Sequence, residues 1–242
     1  MRLQQQRALV TGGAHRLGRA IALALAAEGA DVAIHYHSSA QQAEATLAEL
    51  RAYGGHAAAV QGDLAAVAEA EHVVDAAAEQ LGGLSILVNC AGIWGADPLG
   101  TVTEERWDTL IATNARGAFF ACQRAAPLLR ASHGCVINIA DVGAMRPWKN
   151  HTPYLVSKGA VVTLTEALAK DMAPEVRVNA IAPGPVLLPA DWGEEEAERT
   201  AKTVLLRRVG SAEDIAQAAV YLASASYVTG VILPVDGGQR LI

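Results

Sequence analysis

The 242-residue chain carries 25 acidic and 19 basic side chains, a formal charge of −6, and 52% of it is hydrophobic. That apolar content excludes an intrinsically disordered chain. The acidic balance argues against a nucleic-acid partner, which calls for a basic stripe, and no uncharged apolar run is long enough to span a membrane.

The first residues run straight into a strand-like segment with no signal-peptide core. Strands are expected at 8–11, 32–36, 57–61, 86–89, 135–140, 177–182 and 231–234. Several are continuous apolar runs, the pattern of strands covered on both faces. Ala/Leu-rich helical stretches separate them, as parallel crossovers require. In the first of these, Leu17, Ile21 and Leu25 form an apolar stripe, Ala20, Ala24 and Ala27 keep the neighbouring surface thin, and Gly29 is the expected C-terminal cap. Glu194, Glu195 and Glu196 suit the opening turn of a solvated helix. The alternation predicts one α/β domain over residues 1–242, doubly wound in the Rossmann manner around a seven-stranded parallel sheet. Cys90, Cys122 and Cys135 contain no CxxC pair and cannot all pair within one chain, so a reducing, cytoplasmic setting is expected. Cys90 itself reads as a small buried hydrophobe.

The first expected strand leads through Thr11, Gly12, Gly13, Ala14, His15, Arg16, Leu17 and Gly18 into a helix. A phosphate needs close backbone approach and free N–H donors, and Gly12 and Gly18 remove the Cβ atoms that would obstruct it at a helix N-terminus. The second strand ends in His35, Tyr36, His37, Ser38 and Ser39. An NAD site places an acid there for the ribose 2′-hydroxyl. This stretch has imidazoles and hydroxyls instead, with Arg16 in the facing turn, so a 2′-phosphate, and hence NADP, is favoured.

Tyr154 and Lys158 are four residues apart, one turn along a helix. A cation beside a phenol favours the phenolate, so Lys158 is expected to lower the Tyr154 pKa and fit it for proton exchange with a substrate.

With these residues in view, the chain resembles the short-chain dehydrogenase/reductases over essentially its whole length. The landmarks are Thr11-Gly12-Gly13 with Gly18, Gly62-Asp63-Leu64, Asn89-Cys90-Ala91-Gly92, Asn114, Tyr154 with Lys158, Pro183-Gly184 and Asp236-Gly237-Gly238. The resemblance implies hydride transfer with a nicotinamide cofactor. Asp63 and Leu64 would lie by the adenine, and Asn89, Ala91 and Gly92 would line the cofactor cleft. Lys158 would hold the nicotinamide ribose, Asn114 would support a proton-relay water, and Pro183 and Gly184 would bind the cofactor. It also implies a homotetramer, built through the stretch around 114–130, the helix after Tyr154 and the C-terminal residues. No metal is implied.

Three departures narrow the function. Arg16 replaces the middle glycine of the cofactor turn, Cys90 replaces a second asparagine, and Asp141 stands where the family carries its active-site serine. An ionised carboxylate cannot donate a hydrogen bond to a carbonyl oxygen. It can accept from a substrate amino group or ring N–H, and as an acid it can help relay a proton to nitrogen. The Arg16-Leu17-Gly18 turn, the His35–Ser39 stretch and the Asp141/Tyr154/Lys158 set resemble the pteridine reductases within the family. This implies that Arg16 reaches both phosphates and pterin and that Trp94 stacks on the pterin, while Trp148 and Trp192 read as structural. His15 and Ser38 depart from that subgroup, where bases are usual. The expectation is an NADPH-dependent pteridine reductase. The alternatives are a carbonyl reductase, for example of a 3-oxoacyl thioester, and a non-catalytic NADP-binding regulator. Substrate choice is expected to lie in the loop 185–189 with Trp192.

Overall fold

The computed structural model describes residues 1–188 and 192–242, so Pro189 of the expected specificity loop lies outside the described residues. Seven parallel strands form one sheet in the order β3-β2-β1-β4-β5-β6-β7. They are β1 (Arg7–Val10), β2 (Asp31–Tyr36), β3 (Ala57–Gln61), β4 (Ile86–Asn89), β5 (Cys135–Ile139), β6 (Arg177–Pro183) and β7 (Ile232–Val235). Each expected strand is present with ends shifted by one residue at most.

The apolar runs are continuous because alternate residues feed two separate cores. Ala8, Val10, Ile34, Ile86, Val88 and Ile137 face α1 (Arg16–Ala27) and α8 (Ala212–Ser224). Leu9, Ala33, Leu87 and Val136 face α3 (Val67–Leu81) and α5 (Gly117–Ala131). Ile21 and Leu25 of the α1 stripe are fully buried, and Leu17 is half-buried. The cap residue of α1 is Glu28, with Gly29 one position beyond it at φ +95°. α2 (Ala40–Arg51) covers the β2–β3 edge. The glutamates open α7 (Glu194–Ala201), none of whose residues is buried.

The stretch 114–130 begins in an irregular turn. α4 (Glu104–Ile111), capped by the Thr103 hydroxyl, passes through a π-helical segment, Ala112–Arg116, into α5. α6 (Thr152–Asp171) is the longest helix described.

Numbering along the sheet reverses between β1 and β4. Crossovers on the two sides diverge at that point and leave a crevice beyond the strands' carboxyl ends. The segments after β1, β4, β5 and β6 therefore meet there.

Leu87 sits at zero exposure in central strand β4, where lost packing cannot be made good by collapse. Leu87→Ala should cost about 2–5 kcal/mol in denaturant unfolding. Leu206→Ala, at a residue 65% exposed, should stay within about 0.5 kcal/mol.

Candidate active site

The crevice is tied together at the reversal point. The Thr11 hydroxyl accepts the N–H groups of Cys90 and Ala91, both at 3.0 Å, and donates to Val88 O at 3.3 Å. The ends of β1 and β4 are thereby locked side by side. A Cβ on Gly12 would come within 2.9 Å of the Ala91 Cα, and one on Gly18 would strike the Gly12 carbonyl. The missing Cβ atoms admit the protein's own backbone at Ala91 and Gly12, where the sequence pattern assigned the space to a phosphate.

His35, grouped in the sequence with cofactor-binding residues, is a buried brace. Its Nδ1 accepts the Gly12 N–H at 3.1 Å, so Nε2 carries the proton and donates to Gly62 O at 3.0 Å. One imidazole thus fixes the glycine turn against the end of β3. His37 and Ser38 beyond it are exposed, and Tyr36 and Ser39 are half-buried. Asp63 Oδ1 accepts from Ala65 N at 2.9 Å, Leu64 is buried behind it, and Leu17 is half-buried at the start of α1.

Arg16 adopts φ +50°, the left-handed region that favours the glycine it replaces. Its guanidinium crosses the crevice and donates to Leu187 O at 3.0 Å, in the loop after β6. At the base of that loop Pro183 ends β6, and Gly184 packs so closely on Asp236 that a Cβ would lie 2.6 Å from the Asp236 Cα.

The proton-handling candidates converge between β5 and α6. Pro153 in the first turn starts α6, and the helix sets Tyr154 and Lys158 one turn apart, both buried. Tyr154 Oη donates to Asp141 Oδ2 at 2.6 Å, while Asp141 Oδ1 accepts the Gly143 N–H at 2.7 Å. Lys158 Nζ donates to Ile139 O at 2.8 Å. Burial raises the Asp141 pKa, against the pull of the Tyr154 and Gly143 hydrogen bonds and of the Lys158 and His151 charges. Burial lowers that of Lys158, opposed by the Asp141 charge.

One sequence expectation is overturned here. Lys158 does not lower the Tyr154 pKa, because Nζ lies 6.0 Å from the ring centroid and is engaged with a carbonyl. Burial, with the Asp141 charge and hydrogen bond behind it, holds the phenol well above 10.

Asn114 sits in the π-helical segment, a deviation that often marks functional positions. Its Nδ2 donates to Ile93 O at 3.0 Å and Ser157 Oγ at 2.9 Å, and its Oδ1 accepts from Ile93 N at 2.8 Å. It clamps the loop after β4 to α6. A Cβ on Gly92 would lie 3.2 Å from Asn114 Oδ1 and 3.4 Å from Lys158 Nζ. Asn89 is buried, with Nδ2 donating to Asn138 Oδ1 at 2.9 Å, and desolvation pushes the Cys90 thiol up to about 12, as an inert thiol requires.

Trp94 is 52% exposed on that loop and lies over His151, ring centroids 5.2 Å apart. Trp148 meets the same imidazole edge-on and packs near Tyr154 and Leu155, and Trp192 is exposed. Neither Ser157 nor His151 stood out in the sequence. Ser157 Oγ links Asn114 to Tyr154 O, to which it donates at 2.6 Å. His151 Nδ1 donates to Lys149 O at 2.7 Å, leaving a buried Nε2 without a hydrogen-bond partner among the described residues. A polar residue within three positions of Tyr154 was the available signal.

Residues 12–240 match the family model adh_short_C2, described as enoyl-(acyl carrier protein) reductase. The chain is 39% identical to 3beta-hydroxysteroid dehydrogenase 1 of Eggerthella lenta, covering 99% of this chain and 95% of that protein. It is 36% identical to the 3-oxoacyl-(acyl-carrier-protein) reductase FabG of Staphylococcus aureus, covering 97% and 98%. Among solved structures, a short-chain dehydrogenase from Burkholderia cenocepacia in complex with NADP superposes with a TM-score of 0.94 at 36% identity, covering 99% of this chain and 100% of that one. A blue fluorescent protein from a metagenomic library, in complex with NADPH, gives 0.91 at 38% identity, covering 99% of each.

Burial sets the folded-state pKa of His35 below its ordinary 6.5. The unfolded chain therefore binds the proton more readily, so the stabilisation from His35 is complete above pH 6.5 and drains away as the pH falls below it. Denaturant midpoints between about pH 7.5 and 5 should fall less steeply in His35→Gln than in the wild type. An unchanged slope would contradict the brace.

Proposed function

The chain belongs to the short-chain dehydrogenase/reductase family, and from that premise we propose that it is an NADPH-dependent reductase of a pteridine of dihydropterin or dihydrofolate type. The observation that carries the substrate class is the Tyr154–Asp141 hydrogen bond of 2.6 Å. A carbonyl substrate needs donors around its developing oxyanion, and an ionised Asp141 offers acceptors and negative charge instead. A pterin brings its own donors, an amino group and ring N–H groups, for which a carboxylate is the fitting partner.

The crevice suits the cofactor. The cleared backbone of Gly12 and Gly18 at the α1 N-terminus would take the pyrophosphate. Arg16, His37, Ser38 and Ser39 would take the 2′-phosphate, with Leu17 beside them, Tyr36 beneath and Asp63 and Leu64 at the adenine. Asn89, Ala91 and Gly92 would line the far half, with Tyr154 and Lys158 on the ribose and Pro183 and Gly184 at the nicotinamide end. The NADP and NADPH complexes of the two similar structures support that choice. When bound, the cofactor supplies a hydride. Tyr154 and Asp141, hydrogen-bonded to each other, would pass a proton to a ring nitrogen and take its replacement from solvent. Asn114 and Ser157 hold Tyr154 in place, Lys158 is anchored on Ile139 O, and Trp94 and Arg16 would flank the substrate.

A second reading is reduction of a ketone such as a 3-oxoacyl thioester, favoured by the likeness to the Staphylococcus aureus reductase. It requires Asp141 to be protonated in the complex.

The test is NADPH oxidation with dihydrobiopterin, dihydrofolate and a 3-oxoacyl thioester in parallel, repeated with NADH. A pterin should turn over, faster with NADPH. The rate should fall by about a hundredfold or more in both Asp141→Ala and Tyr154→Phe. Turnover of the thioester alone, surviving Asp141→Ser, would overturn the pteridine reading.

A further inference from the structure

Beside the segment that follows Asp141 the described residues line an open hollow of about 290 Å3. Val142, Pro147 and Trp148 form an apolar wall, and Arg146, Thr203, Gln239 and Arg240 form the rest of the lining. Val142 directly follows Asp141, and Trp148 packs against the cluster holding Tyr154. The hollow thus lies against the segments that flank the reacting groups. A larger one, of about 410 Å3, lies between the loop after β6 and the C-terminal turn, and no residue of its lining adjoins Asp141 or Tyr154 in sequence.

Both arginines are positioned by backbone contacts. Arg146 Nη1 donates to Gln239 O at 3.0 Å. Buried Asp236 accepts the N–H groups of Gly238 and Arg240, each at 2.9 Å, and so fixes the 3-10 turn Gln239–Leu241 that carries Arg240. Among the described residues neither guanidinium has a carboxylate partner, whereas Arg106, Arg124 and Arg208 are each paired with an aspartate. Two unneutralised forks on one small hollow form a receptor for an oxyanion, since a guanidinium matches carboxylate and phosphate alike. The anion is not the cofactor's 2′-phosphate. That group belongs at the end of β2, three strands from β5 in the sheet, or about 14 Å away at the usual spacing.

We propose that this hollow is a subsite for an anionic substrate tail, a carboxylate or phosphate joined by an apolar stem to the group reduced at Tyr154. Val142, Pro147 and Trp148 pack the stem, and Arg146 and Arg240 take the charge. The assignment of the tail to a substrate rests on the reductase reading; binding of the anion does not.

Calorimetric titration of octanoate, octanamide and inorganic phosphate, with NADPH present, separates the two. Wild-type protein should bind octanoate about tenfold or more tightly than octanamide. In Arg146→Gln/Arg240→Gln, with its melting temperature checked against wild type, that preference should vanish. Equal binding of acid and amide, or a preference that survives the double substitution, overturns the subsite. Phosphate binding as tightly as octanoate overturns the tail and leaves a site for a free anion. In parallel, dihydrofolate and its glutamate dimethyl ester are compared as substrates by kcat/KM. A preference for the acid that is lost in the double variant supports the subsite. Failure of every ketone and pterin to oxidise NADPH, with the octanoate preference intact, defeats the reductase reading and not the anion site.

Discussion

A buried phenol and a half-buried carboxylate 2.6 Å apart set the chemistry open to this protein. Burial alone opposes ionisation of either group. Each then acts on the other. The carboxylate holds the phenolic proton in place, and the phenol steadies the carboxylate. With a serine at position 141 the neighbour of Tyr154 would be a neutral donor and Lys158 the dominant charge. With Asp141 the dominant partner of Tyr154 is an acceptor, and the lysine is left to position. One substitution in the sequence therefore redirects the site from donating hydrogen bonds toward accepting them.

The scaffold makes that pair possible by rigidity at the sheet's reversal point. The Thr11 hydroxyl joins β1 to β4, His35 pins the glycine turn, and Asn114 ties the loop after β4 to α6. Each is a buried polar residue whose hydrogen bonds are made to backbone or to another buried side chain, so displacing one leaves an unsatisfied group behind. Arg16 carries the opposite burden. It occupies a backbone conformation that costs a non-glycine residue about 1–2 kcal/mol, and in return places a cation across the crevice against the loop after β6.

The strands, the two-core sheet and the glycine turn were legible because each is local. Apolar runs report burial on both faces, and a strand followed by Gly12 and Gly18 reports a close backbone approach. Tyr154 and Lys158 were legible through helical spacing. The influence of Asp141 on Tyr154 needed the fold, because thirteen residues and a loop separate them in sequence. His35 misled for the same reason. A histidine at a strand end has the same sequence signature whether it faces a phosphate or the glycine turn, and only the register of β1 against β2 decides. The π-helical segment at Ala112–Arg116 leaves no periodicity of its own over a single turn. The arginine-rimmed hollow joins residues nearly a hundred positions apart, which no local pattern marks.

The most direct measurement is the ultraviolet difference titration of the Tyr154 phenol in wild type and Asp141→Asn, with Tyr154→Phe identifying the transition. If the Asp141 charge helps hold the phenol above its ordinary pKa, the Asn variant should ionise at distinctly lower pH than the wild type. A titration that stays in place or moves upward would show that Asp141 does not govern Tyr154, and the case for a substrate that brings its own donors would go with it.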